Sequence, residues 1–109
     1  MACLFCQIVN KETPAGIIYE DEKFLVIKDI KPAAPIHFLA IPKKHIASVN
    51  DLTDADKDLI GALFLVAKKV AKDASVSESG YRLVLNTGQN AGQTVSHLHL
   101  HILGGKTLT

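Results

Sequence analysis

The segment from His97 to Ile102 reads His-Leu-His-Leu-His-Ile and alternates polar and apolar side chains without interruption. Successive side chains of a β-strand point to opposite faces of a sheet, whereas one face of a helix repeats every three to four residues. The pattern therefore predicts a strand over residues 96–103, with three imidazoles on one face and the apolar side chains on the other.

The remaining sequence predicts further strands and two helices. Thr53 can cap a helix over 54–74, because acidic residues follow it and apolar residues recur at three-to-four spacing. A shorter helix is predicted over 4–11. Apolar segments bounded by turn residues predict strands over 17–20, 24–27, 37–41 and 81–87. This order favours an α+β fold, with an antiparallel sheet of about five strands, one long helix and one short helix.

Composition limits the classes of partner. The 109 residues, of which 48% are hydrophobic and 21% charged, fit one folded domain spanning residues 1–109. Twelve Lys and Arg against eleven Asp and Glu leave a net charge of +1, without the basic excess typical of nucleic-acid binding, so we expect no nucleic-acid partner. The longest apolar stretch, residues 59–67, is too short to span a bilayer. With no signal-peptide pattern at the start, we expect a cytoplasmic protein without a membrane partner.

Three imidazoles on one strand face allow two kinds of chemistry. A His-x-His pair can bind zinc, as in some hydrolases. Alternatively, one neutral imidazole attacks phosphorus while a hydrogen bond fixes its tautomer, and a neighbouring imidazole donates to the phosphate. A merely polar strand face is disfavoured, because adjacent neutral imidazoles need organised partners. Gly92 and the hydroxyl and amide groups up to Ser96 favour phosphate chemistry, since glycine lets the backbone approach a phosphate.

The run from Gly92 to Gly105, GQTVSHLHLHILGG, resembles the signature of the histidine triad superfamily. It is most similar to the branch of nucleotide-binding histidine triad proteins that hydrolyse purine nucleoside phosphoramidates. Residues 28–45 look like the central hairpin of that family, and residues 80–86 look like its strand before the triad. The resemblance covers nearly the whole chain, from Leu4 to Gly105.

The resemblance implies a role for each matching residue. His99, the middle histidine, is the expected nucleophile and carries a transient nucleotidyl group. His101 is expected to donate to the phosphate, His97 to support the array, and His37 to complete its hydrogen-bond network. Asp29 matches the position that binds ribose hydroxyls. The other implied substrate contacts are Asn86 and Thr94 near the phosphate and leaving group, Gln93 and Val95 beside them, and Leu4, Phe5 and Ile27 around the purine.

Cys3 and Cys6 form a Cys-x-x-C pair that needs two further ligands to hold zinc. Some bacterial histidine triad proteins resemble this arrangement, with His45 and His97 as the further ligands. The resemblance thus implies a structural zinc in which His97 is a ligand rather than part of the chemistry. The alternatives are two free thiols or a redox pair, since a single pair in a reducing compartment seldom forms a structural disulfide.

The implied reaction is two-step hydrolysis of a purine nucleoside phosphoramidate, such as AMP joined to an amine. The expected partner is a purine nucleotide (AMP, GMP or their phosphoramidates), and no cofactor is required for catalysis. The family also implies a homodimer in which the long helices and the strands over 81–87 meet. Two other functions stay open, namely a diadenosine polyphosphate hydrolase and a nucleotide-binding regulatory module with little activity.

Overall fold

Five strands form one antiparallel sheet in a computed structural model that describes residues 3–109. The strands are β1 (Ile17–Glu20), β2 (Phe24–Lys28), β3 (Ile36–Pro42), β4 (Tyr81–Val84) and β5 (Leu100–Gly104). Their order in the sheet is β1-β2-β3-β5-β4, so β1 and β4 are the edge strands. The helices are α1 (Leu4–Val9) and α2 (Lys57–Asp73). This architecture confirms the predicted α+β fold with one long and one short helix.

Each face of the sheet is covered by one helix. Val26, Leu100 and Ile102 pack with the buried side of α2 in the larger hydrophobic cluster. Leu25 and Ile27, which alternate with Val26 along β2, pack against α1 on the opposite face. Because both faces are covered, β2 is buried at every position from 24 to 27, and its sequence is apolar throughout.

The start of the predicted strand over 96–103 was wrong, because β5 begins only at Leu100. The preceding residues bond to loops instead: His97 N–H donates to Val95 O at 2.8 Å, and Leu98 N–H donates to Ile46 O at 2.7 Å. The alternation of faces nevertheless persists, since Leu98 is buried in the α2 cluster. The strand predicted over 81–87 also ends early, at Val84, whose partner His101 lies next to the first residue of β5.

The helix ends differ slightly from the predicted ones. Residues Asp54–Asp56 form a 3₁₀ turn before α2 begins. Thr53 caps this turn as predicted, because its Oγ1 accepts Ala55 N–H at 3.3 Å while its own N–H donates to Asp56 Oδ2 at 3.0 Å. Helix α1 stops before Lys11, whose φ of 64° is left-handed. Neither helix in residues 3–109 combines the length and the apolar character that a membrane crossing requires.

Candidate active site

A row of histidine rings lies on the sheet face that α1 covers. Its members, in order, are His37, His101, His99 and His97. His101 lies opposite Leu39 in the register of β5 and β3, and Leu39 packs with α1, so the His101 ring shares that face. The His101 ring centroid lies 5.0 Å from that of His99 and 5.2 Å from that of His37. Phe5 of α1 presents a ring at 82° to His99, with centroids 5.0 Å apart. Helix α1 therefore covers the middle of the row with an apolar ring.

The His99 ring is held in one tautomer. Its Nδ1–H donates to the main-chain carbonyl of His97 at 2.8 Å, which leaves Nε2 with a free lone pair. His99 is only 6% exposed. Burial lowers the pKa of His99 and outweighs the opposing effects of the His97 carbonyl and the Asp29 charge. A neutral imidazole with Nε2 unprotonated is a competent nucleophile near neutral pH.

A second hydrogen-bond chain fixes the tautomers of His37 and His101. Ala33 N–H donates to His37 Nδ1 at 3.0 Å, so neutral His37 carries its proton on Nε2. His37 Nε2–H then donates to His101 Nδ1 at 2.9 Å, which requires His101 to carry its proton on Nε2. Burial is also the largest of the effects that lower the pKa of His101. His101 is therefore a neutral N–H donor beside the His99 ring.

Asp29 lies at the far end of the row, just after β2. Its N–H donates to His37 O at 3.0 Å, and its Oδ1 accepts Lys31 N–H at 2.8 Å. Its other oxygen, Oδ2, lies 3.4 Å from His37 Nε2. The carboxylate is thus oriented by the backbone at one oxygen and faces the histidine row with the other.

The loop before the triad is held by the side chain of Gln93. Its Oε1 accepts Gly88 N–H at 2.8 Å, and its Nε2 donates to Ala47 O at 2.7 Å and to Val95 O at 3.1 Å. These bonds use both N–H groups of the Gln93 amide and one lone pair of Oε1, and the backbone N–H of Gln93 donates to Gly88 O at 3.1 Å. Thr94 is exposed, Asn86 is half-buried after β4, and Val95 packs beside the α1 cluster.

The residues expected around a purine differ in exposure. Phe5 and Ile27 are each 4% exposed and belong to the hydrophobic cluster under α1, whereas Leu4 is 45% exposed. Ile30, which directly follows Asp29, is 92% exposed and was not predicted. It is a large apolar side chain in a loop between the charged residues Asp29 and Lys31.

At the other end of the row, two thiols and two imidazoles converge. Cys3 Sγ lies 3.4 Å from His97 Nδ1, and Cys6 Sγ lies 3.3 Å from His45 Nδ1 and 3.6 Å from His97 Nδ1. The two Nδ1 atoms are 3.2 Å apart, and all four ligand atoms lie within 4.8 Å of one another. Tetrahedral zinc, with bonds of about 2.3 Å to sulfur and about 2.0 Å to nitrogen, separates its ligands by about 3.3 to 3.8 Å.

The second nitrogen of His97 also fits a metal ligand. Its Nε2–H donates to Pro42 O at 2.7 Å, which leaves the Nδ1 lone pair directed at the thiols. Backbone carbonyls commonly orient zinc-bound imidazoles in this way. Burial contributes most to lowering the pKa of His97, and a neutral ring is the form that binds metal. The donor set therefore fits zinc, and an ion bound there would engage the Nδ1 atom of His97.

Known proteins are similar to this one along nearly the whole chain. Residues 2–108 match the family model described as scavenger mRNA decapping enzyme C-term binding. An uncharacterised HIT-like protein from Synechocystis is 48% identical over 103 residues, which are 94% of this chain and 90% of that protein.

Solved structures are similar over the same extent. A HIT family hydrolase from Legionella pneumophila has a TM-score of 0.98 and 49% identity, over 99% of this chain and 96% of that one. A histidine triad protein from Clostridium difficile has a TM-score of 0.96 and 42% identity, over 100% and 95% of the two chains. Together with the row of imidazoles, these matches show that the chain belongs to the histidine triad (HIT) family.

Proposed function

We propose that this protein hydrolyses purine nucleoside 5′-phosphoramidates, of the type in which AMP is joined to an amine, through a nucleotidyl group on His99. The observation that carries the proposal is the state of the His99 ring. Its Nδ1–H is tied to His97 O at 2.8 Å, its pKa is lowered by burial, and its Nε2 is free to attack. The name of the Legionella relative, a HIT family hydrolase, supports the reaction class.

The reaction has two steps. In the first, His99 Nε2 bonds to the α-phosphorus, the phosphorus–nitrogen bond breaks, and the amine leaves with a proton taken from the medium. The Nδ1–H stays on the carbonyl of His97 and stabilises the positive charge that the ring gains. In the second step, water attacks phosphorus and releases a proton, the bond to His99 breaks, and AMP leaves.

Neutral donors stabilise the charge on phosphate in this proposal. His101 offers Nε2–H to a phosphate oxygen, because its Nδ1 accepts from His37. Thr94 and Asn86 lie in the segments that lead to the triad and are the proposed contacts to the leaving group. Because these groups supply the stabilisation, the chemistry requires no metal.

The nucleoside is held by a carboxylate and an apolar surface. Asp29 Oδ2 is the proposed acceptor for the ribose hydroxyls, since Oδ1 is already engaged by the backbone. The purine packs against the exposed side of Leu4 and against Ile30, with the edges of Phe5 and Ile27 behind. A base held by apolar contacts accounts for recognition of the ring shape of a purine.

We propose a structural role for zinc at Cys3, Cys6, His45 and His97. When bound, the ion ties the start of the chain to the loop after β3 and to the triad segment. It would hold the His97 ring, whose residue also supplies the carbonyl for His99. It takes no part in the steps at phosphorus.

Product analysis tests the proposed reaction. Wild-type protein is incubated with AMP joined to an aromatic amine and, separately, with a diadenosine polyphosphate, and the products are separated by chromatography. We expect faster release of AMP and free amine than cleavage of the dinucleotide. Preferential cleavage of the dinucleotide would support the alternative hydrolase. Tight AMP binding without turnover of either compound would support a regulatory module.

A further inference from the structure

We propose that Arg82 determines which leaving group is preferred, because its guanidinium binds a carboxylate on the amine that is released from AMP. The proposal rests on the function proposed above and deepens it by naming the class of leaving group. The preferred substrate is then a phosphoramidate in which AMP is joined to the amino nitrogen of an amino acid.

Arg82 in β4 shares its face of the sheet with the histidine row. It lies opposite Leu103 of β5, and Leu103 lies opposite His37 of β3. Residues that lie opposite each other in an antiparallel pair point to the same face. Tyr81 and Leu83, which flank Arg82 in β4, pack in the α2 cluster on the other face. The Arg82 side chain therefore leaves the sheet on the side of the imidazoles.

The strand register also places Arg82 close to the proposed phosphate donor. Val84 lies opposite His101, so Arg82, two residues before Val84, is a diagonal neighbour of His101. Diagonal neighbours on two strands are about 7 to 8 Å apart, which is within reach of a long side chain. Arg82 is exposed, and none of the ion pairs within residues 3–109 involves it. Its guanidinium is therefore available to a ligand bound at His101.

The sheet order assigns Arg82 to the leaving-group side of the phosphate. The proposed nucleoside contacts Ile27 and Asp29 lie in and just after β2. Strands β3 and β5 separate β2 from β4. With the phosphate at His101 in β5, the nucleoside extends toward β2, and the side toward β4 is left for the amine. Asn86, a proposed contact to the leaving group, also lies on this side, just after β4.

The surface on this side combines one cation with apolar side chains. Val84 and Leu103 are half-buried and belong to neither hydrophobic cluster. Arg82 is the only arginine of the chain and the only Lys or Arg in β3, β4 and β5. A guanidinium binds a carboxylate through two parallel hydrogen bonds. One cation beside two apolar side chains thus fits an amine with one carboxylate and an apolar group better than it fits a polyphosphate with several charges.

Two matched substrates test the proposal. AMP is joined through phosphorus to the amino nitrogen of phenylalanine and, separately, of phenylalaninamide, in which a neutral amide of similar size replaces the carboxylate. We expect Arg82→Gln to lower kcat/KM for the carboxylate substrate by about three- to fivefold, the effect of one exposed ion pair. The same variant should leave kcat/KM for the amide substrate at the wild-type value. In the wild type, added salt should lower kcat/KM more for the carboxylate substrate, because salt screens exposed charges.

Two further variants serve as controls. Arg82→Lys keeps the charge but loses the planar fork, so it should retain only part of the effect. Lys68→Gln removes an exposed charge from α2, on the other face of the sheet, and should keep both wild-type values. Light scattering of each variant should give the wild-type mass, since Arg82 stands perpendicular to the edge that a second copy would pair with.

The outcomes separate this proposal from the proposed function. Equal losses with both substrates in Arg82→Gln would show that the guanidinium acts on AMP or on the fold, and they would overturn the proposal. Unchanged kcat/KM with both substrates would overturn it as well. Either result leaves the proposed function intact. If the wild type released AMP from neither substrate, the proposed function would be contradicted, and this proposal with it.

Discussion

His99 combines three properties that a nucleophile needs, and each has a local cause. Burial keeps the ring neutral, a main-chain carbonyl fixes its tautomer, and the tilted ring of His101 lies beside it. Since any residue at position 97 supplies the same carbonyl, the proposed nucleophilic role depends on the ring of His99 itself.

Replacing His99 with alanine should therefore lower the turnover of an adenosine phosphoramidate by about 1000-fold or more. Intact-protein mass spectrometry of quenched reactions should detect a nucleotidyl adduct on the wild type and none on His99→Ala. Lys106→Ala, at an exposed position, is the control and should keep the wild-type rate. A His99→Ala protein that turns over at the normal rate would exclude the assignment of the nucleophile.

Acid should destabilise the fold through the same buried imidazoles. The pKa values of His99 and His101 are lowered chiefly by burial, so the unfolded chain binds protons at a higher pH than the folded chain. Stability is then lost as the pH falls below about 6.5, the usual histidine pKa. We expect Tm to drop between pH 7 and pH 5, and to drop less in His99→Gln. An unchanged or rising Tm over this range would show that burial of these two rings does not govern the acid sensitivity of the fold.

Sequence alternation was enough to predict that the three imidazoles share one face of a sheet. It could not predict what each ring nitrogen contacts, because those partners lie on other elements. The carbonyl of Pro42 and the N–H of Ala33, for example, orient His97 and His37 from the end of β3 and from the loop before it. Ile30 was missed because exposure in a loop has no periodic signal in a sequence.

At the scale of elements, the two faces of β5 have different environments: one packs in the core, and the other carries a histidine of the candidate site. Leu100 and Ile102 are buried in the cluster with α2, while His101 and Leu103 are only partly covered on the other face. The sequence predicted this division, but not the late start of the strand. Ile46 O accepts a hydrogen bond from the N–H of Leu98, and a bond to a distant loop cannot be predicted from the spacing of residues along the strand.

This division predicts unequal costs for two similar substitutions in β5. Leu100→Ala should reduce the free energy of unfolding by about 2 to 5 kcal/mol, since it leaves a cavity in the core. Leu103→Ala, on the partly covered face, should cost clearly less, and urea titration measures both. Equal costs would mean that the two faces of β5 are equally packed.

At the scale of the whole molecule, the sheet has two edge strands, β4 and β1, and each has an apolar side chain that is at least partly exposed. Leu83 and Leu85 in and after β4 pack on the core, whereas half-buried Val84 alternates with them and faces away. Ile18 lies on the opposite edge, in β1, and is 38% exposed. We expect the homodimer that the family resemblance implies to use the β4 edge, where unpaired backbone groups can extend the sheet into a second copy.

Light scattering during size-exclusion chromatography should accordingly give twice the mass of one chain for the wild type. Val84→Asp should shift the protein to monomer, because it introduces charge at the shared edge. The same substitution at the other edge, Ile18→Asp, should leave a dimer. A monomeric wild type, or a dimer that only Ile18→Asp disrupts, would refute use of the β4 edge.

Metal analysis tests the proposed zinc site at Cys3, Cys6, His45 and His97. Protein purified without added metal should contain about one zinc per chain, and a strong chelator should lower its Tm. His45→Ala should reduce the zinc content, whereas Asn50→Ala, five residues later on an exposed turn, should retain it. Zinc far below one per chain together with a Tm unaffected by chelator would contradict the structural role.

Two different parts of His97 contact two different neighbours: its ring faces the thiols, and its carbonyl accepts the Nδ1–H of His99. Selection can therefore act on the two separately. If both cysteines were lost, another side chain could replace this imidazole and the His99 ring would keep its orientation, because every amino acid supplies the same peptide oxygen.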